Sequence, residues 1–230
     1  MWQECAAPRR VVRRGAAYHR GMSRYARSER QALADLMLAL GPDAPTLNEG
    51  WVARDLAAHL VVRERRPDAA GGILLPPLRG YAERVRLRIA ARPWAELVAQ
   101  VRQPPAWSPL SNPLTDELVN TMEFFIHHED VRRAGPGWQP RDLPVGLHAA
   151  LWKRVAPMAR FALRRFPASL LVQAPGHGEV RCGRGGEALR LVGAPGELTL
   201  FLSGRQRAAR VQLDGPAATA DRLRTAKLGL

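Results

Sequence analysis

The stretch Asn120-Thr121-Met122-Glu123-Phe124-Phe125-Ile126-His127-His128-Glu129-Asp130 decides how the N-terminal part of this chain folds. It lies in a helical pattern from about Leu114 to Arg133 that is apolar on most sides, through Leu114, Leu118, Met122, Phe125 and Ile126, and so predicts a deeply buried helix. Gly135-Pro136-Gly137 ends the pattern. At about 100° per residue, Glu123 and His127 lie about 40° apart, and Asn120 and Asp130 fall within about 60° of Glu123. Together they form a polar seam. A glutamate on so apolar a helix is costly to bury unless it is paired or coordinated, which makes the seam a site candidate. The same spacing also describes a Glu and a His hydrogen-bonded to each other on a surface face. His128 and Glu129 point away from the seam by helical angle and read as exposed residues or as outer supports. Asp130 is placed to orient a ligand histidine.

Working outward, Leu33, Leu36, Met37 and Leu40 recur at helical spacing after Met22, and Gly41-Pro42 stops that helix. From Trp51 to about Arg65, Val52, Leu56 and Leu60 share a helical face with His59 beside it, until Pro67 and Gly71-Gly72 break the run. A third helix covers Leu78 to Ala91, with Tyr81, Val85 and Ile89 inward and Arg84, Arg86, Arg88 and Arg92 mostly outward, and Pro93 starts a short further one. Gln103 to Pro113, with four prolines, is a loop. Leu143 to Phe166 reads as helical, with Pro157 as a kink or break.

After Pro167 the texture changes. Leu170-Leu171-Val172 and Leu189-Arg190-Leu191-Val192 read as strands among Gly-rich turns. Helical pieces at about Gly196 to Ser203 and Ala217 to Lys227 flank a short run at Val211-Gln212-Leu213. The fold class is therefore α+β, with residues 22–166 expected as a helical bundle and 167–230 as a small α+β domain. Residues 1–21 hold Arg9, Arg10, Arg13, Arg14 and Arg20 against Glu4 without a helical apolar period, and are expected to be a disordered tail or an extension upstream of a start at Met22.

The composition bounds the function. The 230 residues are 46% apolar and 24% charged, with a formal charge of +14 carried almost wholly by arginine, since Lys153 and Lys227 are the only lysines. The arginines are spread along every segment and no aromatic-plus-basic recognition pattern accompanies them, so a nucleic-acid partner is not expected. Cys5 and Cys182 are too few and too far apart for a disulfide framework or a Cys-based zinc site, which fits a reducing cytoplasm. No apolar run approaches the roughly 20 residues needed to span a bilayer. The chain has no Gly-rich phosphate loop, Gly-x-Ser-x-Gly elbow or His-Glu-x-x-His pair, which disfavours nucleotide hydrolysis, serine hydrolysis and zincin proteolysis.

His59 supplies what the seam lacks. In a helix bundle, metal sites are assembled from side chains on facing helices, and two His plus one Glu form an open zinc set. His59, Glu123 and His127 are the candidate ligands; His19, His148 and His177 have no partner the pattern can place. The stretch from Trp51 through Val52-Ala53-Arg54-Asp55-Leu56-Ala57-Ala58-His59-Leu60, followed by Glu123 to Asp130, resembles the mycothiol-dependent maleylpyruvate isomerase-like branch of the DinB/YfiT superfamily, within it an actinobacterial group described as metal-binding proteins. Gly196 to Arg205 is similar to that branch's C-terminal domain. The resemblance implies a four-helix bundle whose metal is held by His59, Glu123 and His127. Val52 departs from the Ser or Thr that relatives often place at that helix start, which removes a cap but no ligand.

Seam and resemblance together lead to the expectation of a metal-binding protein that acts as a metal-dependent enzyme on a low-molecular-weight thiol such as mycothiol, for isomerase or S-transferase chemistry. Arg205 is the candidate to hold a carboxylate of thiol or substrate. Zinc is the preferred ion, and Fe, Ni or Co suit the same donors. Two alternatives stay open: a metal-dependent hydrolase of a small ester or amide, and a non-catalytic metal- or ligand-binding module, for which Asp130 as a fourth ligand would be the sign. Substrate and oligomeric state are not written in the sequence.

Overall fold

The computed structural model describes residues 15–105, 107–108 and 120–228. Helix α1 spans Gly15–Leu40, so it opens upstream of the expected Met22, while residues 1–14 lie outside the described part. It stops where the sequence places the stop: Gly41 takes a left-handed φ of 88° and donates its N–H to the Met37 carbonyl at 3.0 Å. Leu33, Ala34 and Met37 are wholly buried, whereas Leu40, expected on the same face, is exposed at the helix end.

Helix α2 spans Ala53–Arg65. Val52 has no side-chain acceptor to cap it, but the Asp55 carboxylate accepts the Val52 N–H at 3.2 Å, which satisfies one end group and sets a negative charge in the first turn. Pro67, expected as a breaker, instead opens helix α3, Pro67–Leu74, because proline at a first helical position gives up no hydrogen bond. Helices α4, Arg79–Ala90, and α5, Trp94–Arg102, follow. Two orientations on α4 reverse the expected ones. Tyr81 is exposed, its hydroxyl donating to Asp68, and Arg86 is buried, bonded to Asp55 and Glu83. Helical angle alone does not reveal that α2 and its first-turn carboxylate cover that side of α4.

Helix α6 spans Thr121–Arg132; Leu114 and Leu118, read into the same helix, lie outside the described residues. In the bundle, α1 lies against α5 and α6, and α2 against α4 and α5. Their shared core holds Leu33, Met37, Leu56, Leu60, Leu97 and Phe124, each contributing about 1.5–3 kcal/mol by burial. Within it the Arg30 guanidinium lies 3.9 Å from the Phe124 ring centre and forks onto the Glu64 carboxylate at 2.7 and 2.5 Å.

Helix α7, Val145–Ala162, continues through Pro157 instead of breaking there. Val155, Ala159 and Leu163 pack onto a sheet of β1, Ser169–Ala174, β2, Gly178–Gly183, β3, Ala188–Val192, and β4, Gln212–Asp214. The strand order is β2-β1-β3-β4; β1 is antiparallel to β2 and parallel to β3, with Leu170 opposite Leu189, and β4 is antiparallel to β3. Leu170, Val172 and Ala174 alternate inward along β1, as period-two patterning requires. Helices α8, Pro195–Leu202, and α9, Ala217–Thr225, close this second core through Leu198, Phe201 and Leu223. The architecture is α+β, helical first and mixed at the C-terminal end. A third cluster of Phe125, Ile126, Leu147, Leu151 and Leu200 ties α6, α7 and α8 together and sets the C-terminal part beside the seam. No helix among the described residues is long and apolar enough to cross a membrane.

Candidate metal centre

The seam of α6 meets α2 at His59. The nitrogens of His59 and His127 and a carboxylate oxygen of Glu123 all lie within 4.8 Å of one another. Glu123 Oε1 is 3.2 Å from His127 Nε2 and 3.6 Å from His59 Nε2, and the two imidazole centres are 5.4 Å apart. Trp51, at the entry to α2, sets its ring 5.5 Å from that of His59.

Behind the trio stands a buried acid. His127 Nδ1 lies 2.9 Å from Asp130 Oδ2, so its Nδ1–H donates to the carboxylate and Nε2 is left facing Glu123 and His59. Asp130 is itself held from the C-terminal part. Arg205 donates from Nε at 2.8 Å and from Nη2 at 2.7 Å, and Asn48 adds a longer bond of 3.3 Å. The Leu47 N–H donates to the Asp130 carbonyl at 3.0 Å. Arg205 also donates to Asn48 Oδ1 and to the Ser203 carbonyl, so most of its fork is committed. Arg63 closes the other side, with Nε 3.4 Å from Glu123 Oε1 and Nη1 donating to Asn120 Oδ1 at 2.7 Å.

These contacts fix the charges. Burial opposes ionisation of Glu123, yet hydrogen bonds from His127 and His59, with the Arg63 charge, hold its carboxyl well below the ordinary range. Burial likewise disfavours a charged His127, but its carboxylate partners Asp130 and Glu123 overcome this and push it up to about 9. His59 goes the other way: burial lowers it, and its bond to Glu123 offsets only part of that. Asp130 is held low against its burial by His127 and Arg205.

For His128 and Glu129 the structure corrects one of the two expected readings, exposure. Neither is exposed: His128 Nδ1 is 2.8 Å from Glu29 on α1, and Glu129 is buried among Arg132, Arg133 and Arg141. Arg133 reaches on to Glu197 of α8 at 2.6 and 2.9 Å, and Arg141 forks onto Glu29 at 2.9 and 3.0 Å. The side of α6 turned from the seam thus binds the helical and C-terminal parts through ion pairs. The helical angle gives the direction of these side chains but not what covers them. His148 and His177, unplaced by pattern, lie with ring centres 5.8 Å apart away from the trio; the side chain of His19 lies outside the described residues.

The trio faces a cavity of about 790 Å³ between the bundle and the C-terminal part, lined also by Asn48, Trp51, Ile126, Met158, Phe161 and Arg205. Volume and position suit a small-molecule site at a junction of structural units. The contribution of α7 is missing from the sequence-based expectations, although Arg154, Pro157, Met158, Phe161 and Ala162 recur at the spacing of one helical face. Two solved structures share this architecture: mycothiol-dependent maleylpyruvate isomerase and a histidine-to-alanine mutant of it. Each superposes with a TM-score of 0.51 at 18% identity, over 85% of this chain and 92% of theirs. The chain has the fold of that isomerase. No protein-family model and no curated protein matches the chain.

Proposed function

We propose that the chain binds one divalent metal ion, zinc by preference, through His59, Glu123 and His127, and acts as an enzyme on a small-molecule thiol in an isomerisation or an S-transfer. The observation that carries this reading is that three donors converge on an open cavity while the nearby Asp130 is committed behind one of them. Three protein ligands leave a position for a further ligand, as catalytic zinc sites do, whereas structural sites are closed by four. The donors fit: two imidazole nitrogens, one carboxylate oxygen, and a carboxylate fixing the tautomer of a ligand histidine. Fe, Co and Ni accept the same set. The ion, when bound, supplies positive charge that keeps a thiol as thiolate near neutral pH.

The chain's own residues do the rest. Asp130 holds the His127 ring with Nε2 turned to the site, and Arg205 holds Asp130. Arg63 steadies Glu123 from the side. Arg205 and Arg154, both on the cavity wall, provide cationic surface for a carboxylate of thiol or substrate. The reading also draws on the shared fold, since the isomerase of that fold is mycothiol-dependent.

Metal analysis of the purified chain together with a mycothiol-dependent assay, first with maleylpyruvate and then with an S-transfer acceptor, tests it. One metal per chain and turnover that requires both metal and thiol are expected. No stoichiometric metal, or a His59→Ala variant with unchanged metal uptake and stability, overturns it.

A further inference from the structure

Two imidazoles outside the metal centre have no task in it. His148 lies near the start of α7, its backbone N–H donating to the Pro144 carbonyl at 3.1 Å, and His177 closes the turn between β1 and β2. In that turn Pro175 fixes one backbone angle and Gly176 takes a φ of 75°, the pattern of a type II turn, and the His177 N–H donates to the Ala174 carbonyl at 3.0 Å. Both side chains therefore stand on rigid backbone. The indole of Trp152, one helical turn after His148, packs so close to Gly178 that a Cβ there would lie 3.3 Å from its Nε1. That contact locks the turn onto the helix beside the two rings.

The spacing of the rings suits a shared ion. A metal held about 2.0–2.1 Å from an imidazole nitrogen lies roughly 3.2 Å from the ring centre, so two imidazoles that share it have centres about 5–6 Å apart. The centres of His148 and His177 are 5.8 Å apart, next to 5.4 Å for His59 and His127. Among the described residues no hydrogen bond reaches either ring, and His148 Nδ1 is shut off from solvent without a partner. A buried ring nitrogen is normally hydrogen-bonded, and one that is not calls for an ion or a water to satisfy it. Burial, and then the charge of His177, hold His148 below the ordinary imidazole range, which favours the neutral ring that a metal needs.

We infer that Nδ1 of His148 and a ring nitrogen of His177 form a second metal site, for one zinc, nickel or copper ion, which pins the β1–β2 turn to α7. Imidazole is the donor that these ions share. The site stands apart from the thiol chemistry proposed above and does not depend on it. With two protein ligands against three, it holds its ion less tightly than the first centre, and water completes the coordination. The purified chain then keeps one ion, and the second is taken up from solution. Because the two ligands come from separate elements, the folded chain binds this ion better than the unfolded one and is stabilised by it.

Zinc alone is the probe, titrated calorimetrically into the metal-free, untagged full chain. Two steps are expected, the second at least about tenfold weaker than the first. His148→Ala and His177→Ala should each weaken the second step by about tenfold or more and leave the first as it is, while His59→Ala should do the reverse. Thermal unfolding gives an independent readout: zinc beyond one equivalent should raise the midpoint of the parent and of His59→Ala, but not that of His177→Ala. A single step that His59→Ala removes overturns the inference, and so does a second step, or a rise in midpoint, that His148→Ala and His177→Ala both retain. A single step that His177→Ala removes and His59→Ala keeps supports the second site and removes the first, so the two readings fall separately.

Discussion

The Nδ1–H of His127 donates to the Asp130 carboxylate at 2.9 Å, and this bond determines which nitrogen of that ring faces Glu123 and His59. Outer carboxylates of this kind raise the basicity of a ligand imidazole and fix its plane. Asp130→Asn keeps the shape and removes the charge. Zinc affinity in this variant should fall by about 10–100-fold, while His127→Ala abolishes stoichiometric binding. Competition with a chromophoric chelator measures both. An Asp130→Asn variant that holds zinc like the parent would show that the pair serves the fold alone.

Without metal, the same pair makes a pH-dependent contribution. His127 is raised from 6.5 to about 9 in the folded chain, so its stabilisation is fully present below about pH 6.5 and is lost as pH rises through about 9. Metal competes with that proton. His59, lowered by burial, has none to give near neutrality. Zinc uptake at pH 7 should therefore release about one proton, beyond any from added ligand, and affinity should climb with pH up to about 9. Calorimetry in two buffers of different ionisation enthalpy reads the proton directly. A binding enthalpy independent of buffer contradicts the assignment of the proton to His127.

Much of the fold and of the trio is legible in the sequence, for a physical reason. Helical periodicity is local, so the seam of Glu123, His127 and Asp130 follows from spacing within one element. The stops at Gly41 and Gly135-Pro136-Gly137, and the strands around Leu170 and Leu189, are equally local signals. Residues whose state depends on a second element are not legible in this way. Arg86 reads as outward and Glu129 as exposed or an outer support by helical angle, and only packing against α2, α1 and the C-terminal part buries both. Arg205 shows the same limit: the sequence offers it to a carboxylate of thiol or substrate, but not its bond to Asp130, seventy-five residues away in the chain. Pro67 reads as a stop, yet proline also begins helices, and which of the two it does depends on what the next residues pack against.

Gly72 illustrates such packing. A Cβ there would lie 2.5 Å from both the Ala82 Cβ and the Leu78 carbonyl oxygen, so α3 and the start of α4 approach as closely as they do only with a glycine at this position. Gly72→Ala gains helix propensity but has to push α4 away. A net loss of about 1–3 kcal/mol is expected from overpacking, read from urea unfolding of the metal-loaded chain. A stabilised variant would mean that α3 shifts freely on α4.

Arg30 and Glu64 test whether an ion pair in the bundle core is a source of stability or of order. Both are almost fully buried, and Arg30 also donates to the Val101 carbonyl at 2.9 Å. Two charges taken out of water recover their desolvation cost only through each other, so removing one leaves the other uncompensated. Glu64→Ala should lose about 3–5 kcal/mol in urea unfolding. The double variant Arg30→Met with Glu64→Leu replaces both charges with apolar volume next to Phe124 and should lie close to the parent, because the penalty of the lone charge is gone. If the double variant is as unstable as Glu64→Ala, the loss lies in the bond to Val101 and the stacking on Phe124, and the pair contributes net stability to the bundle that carries His59.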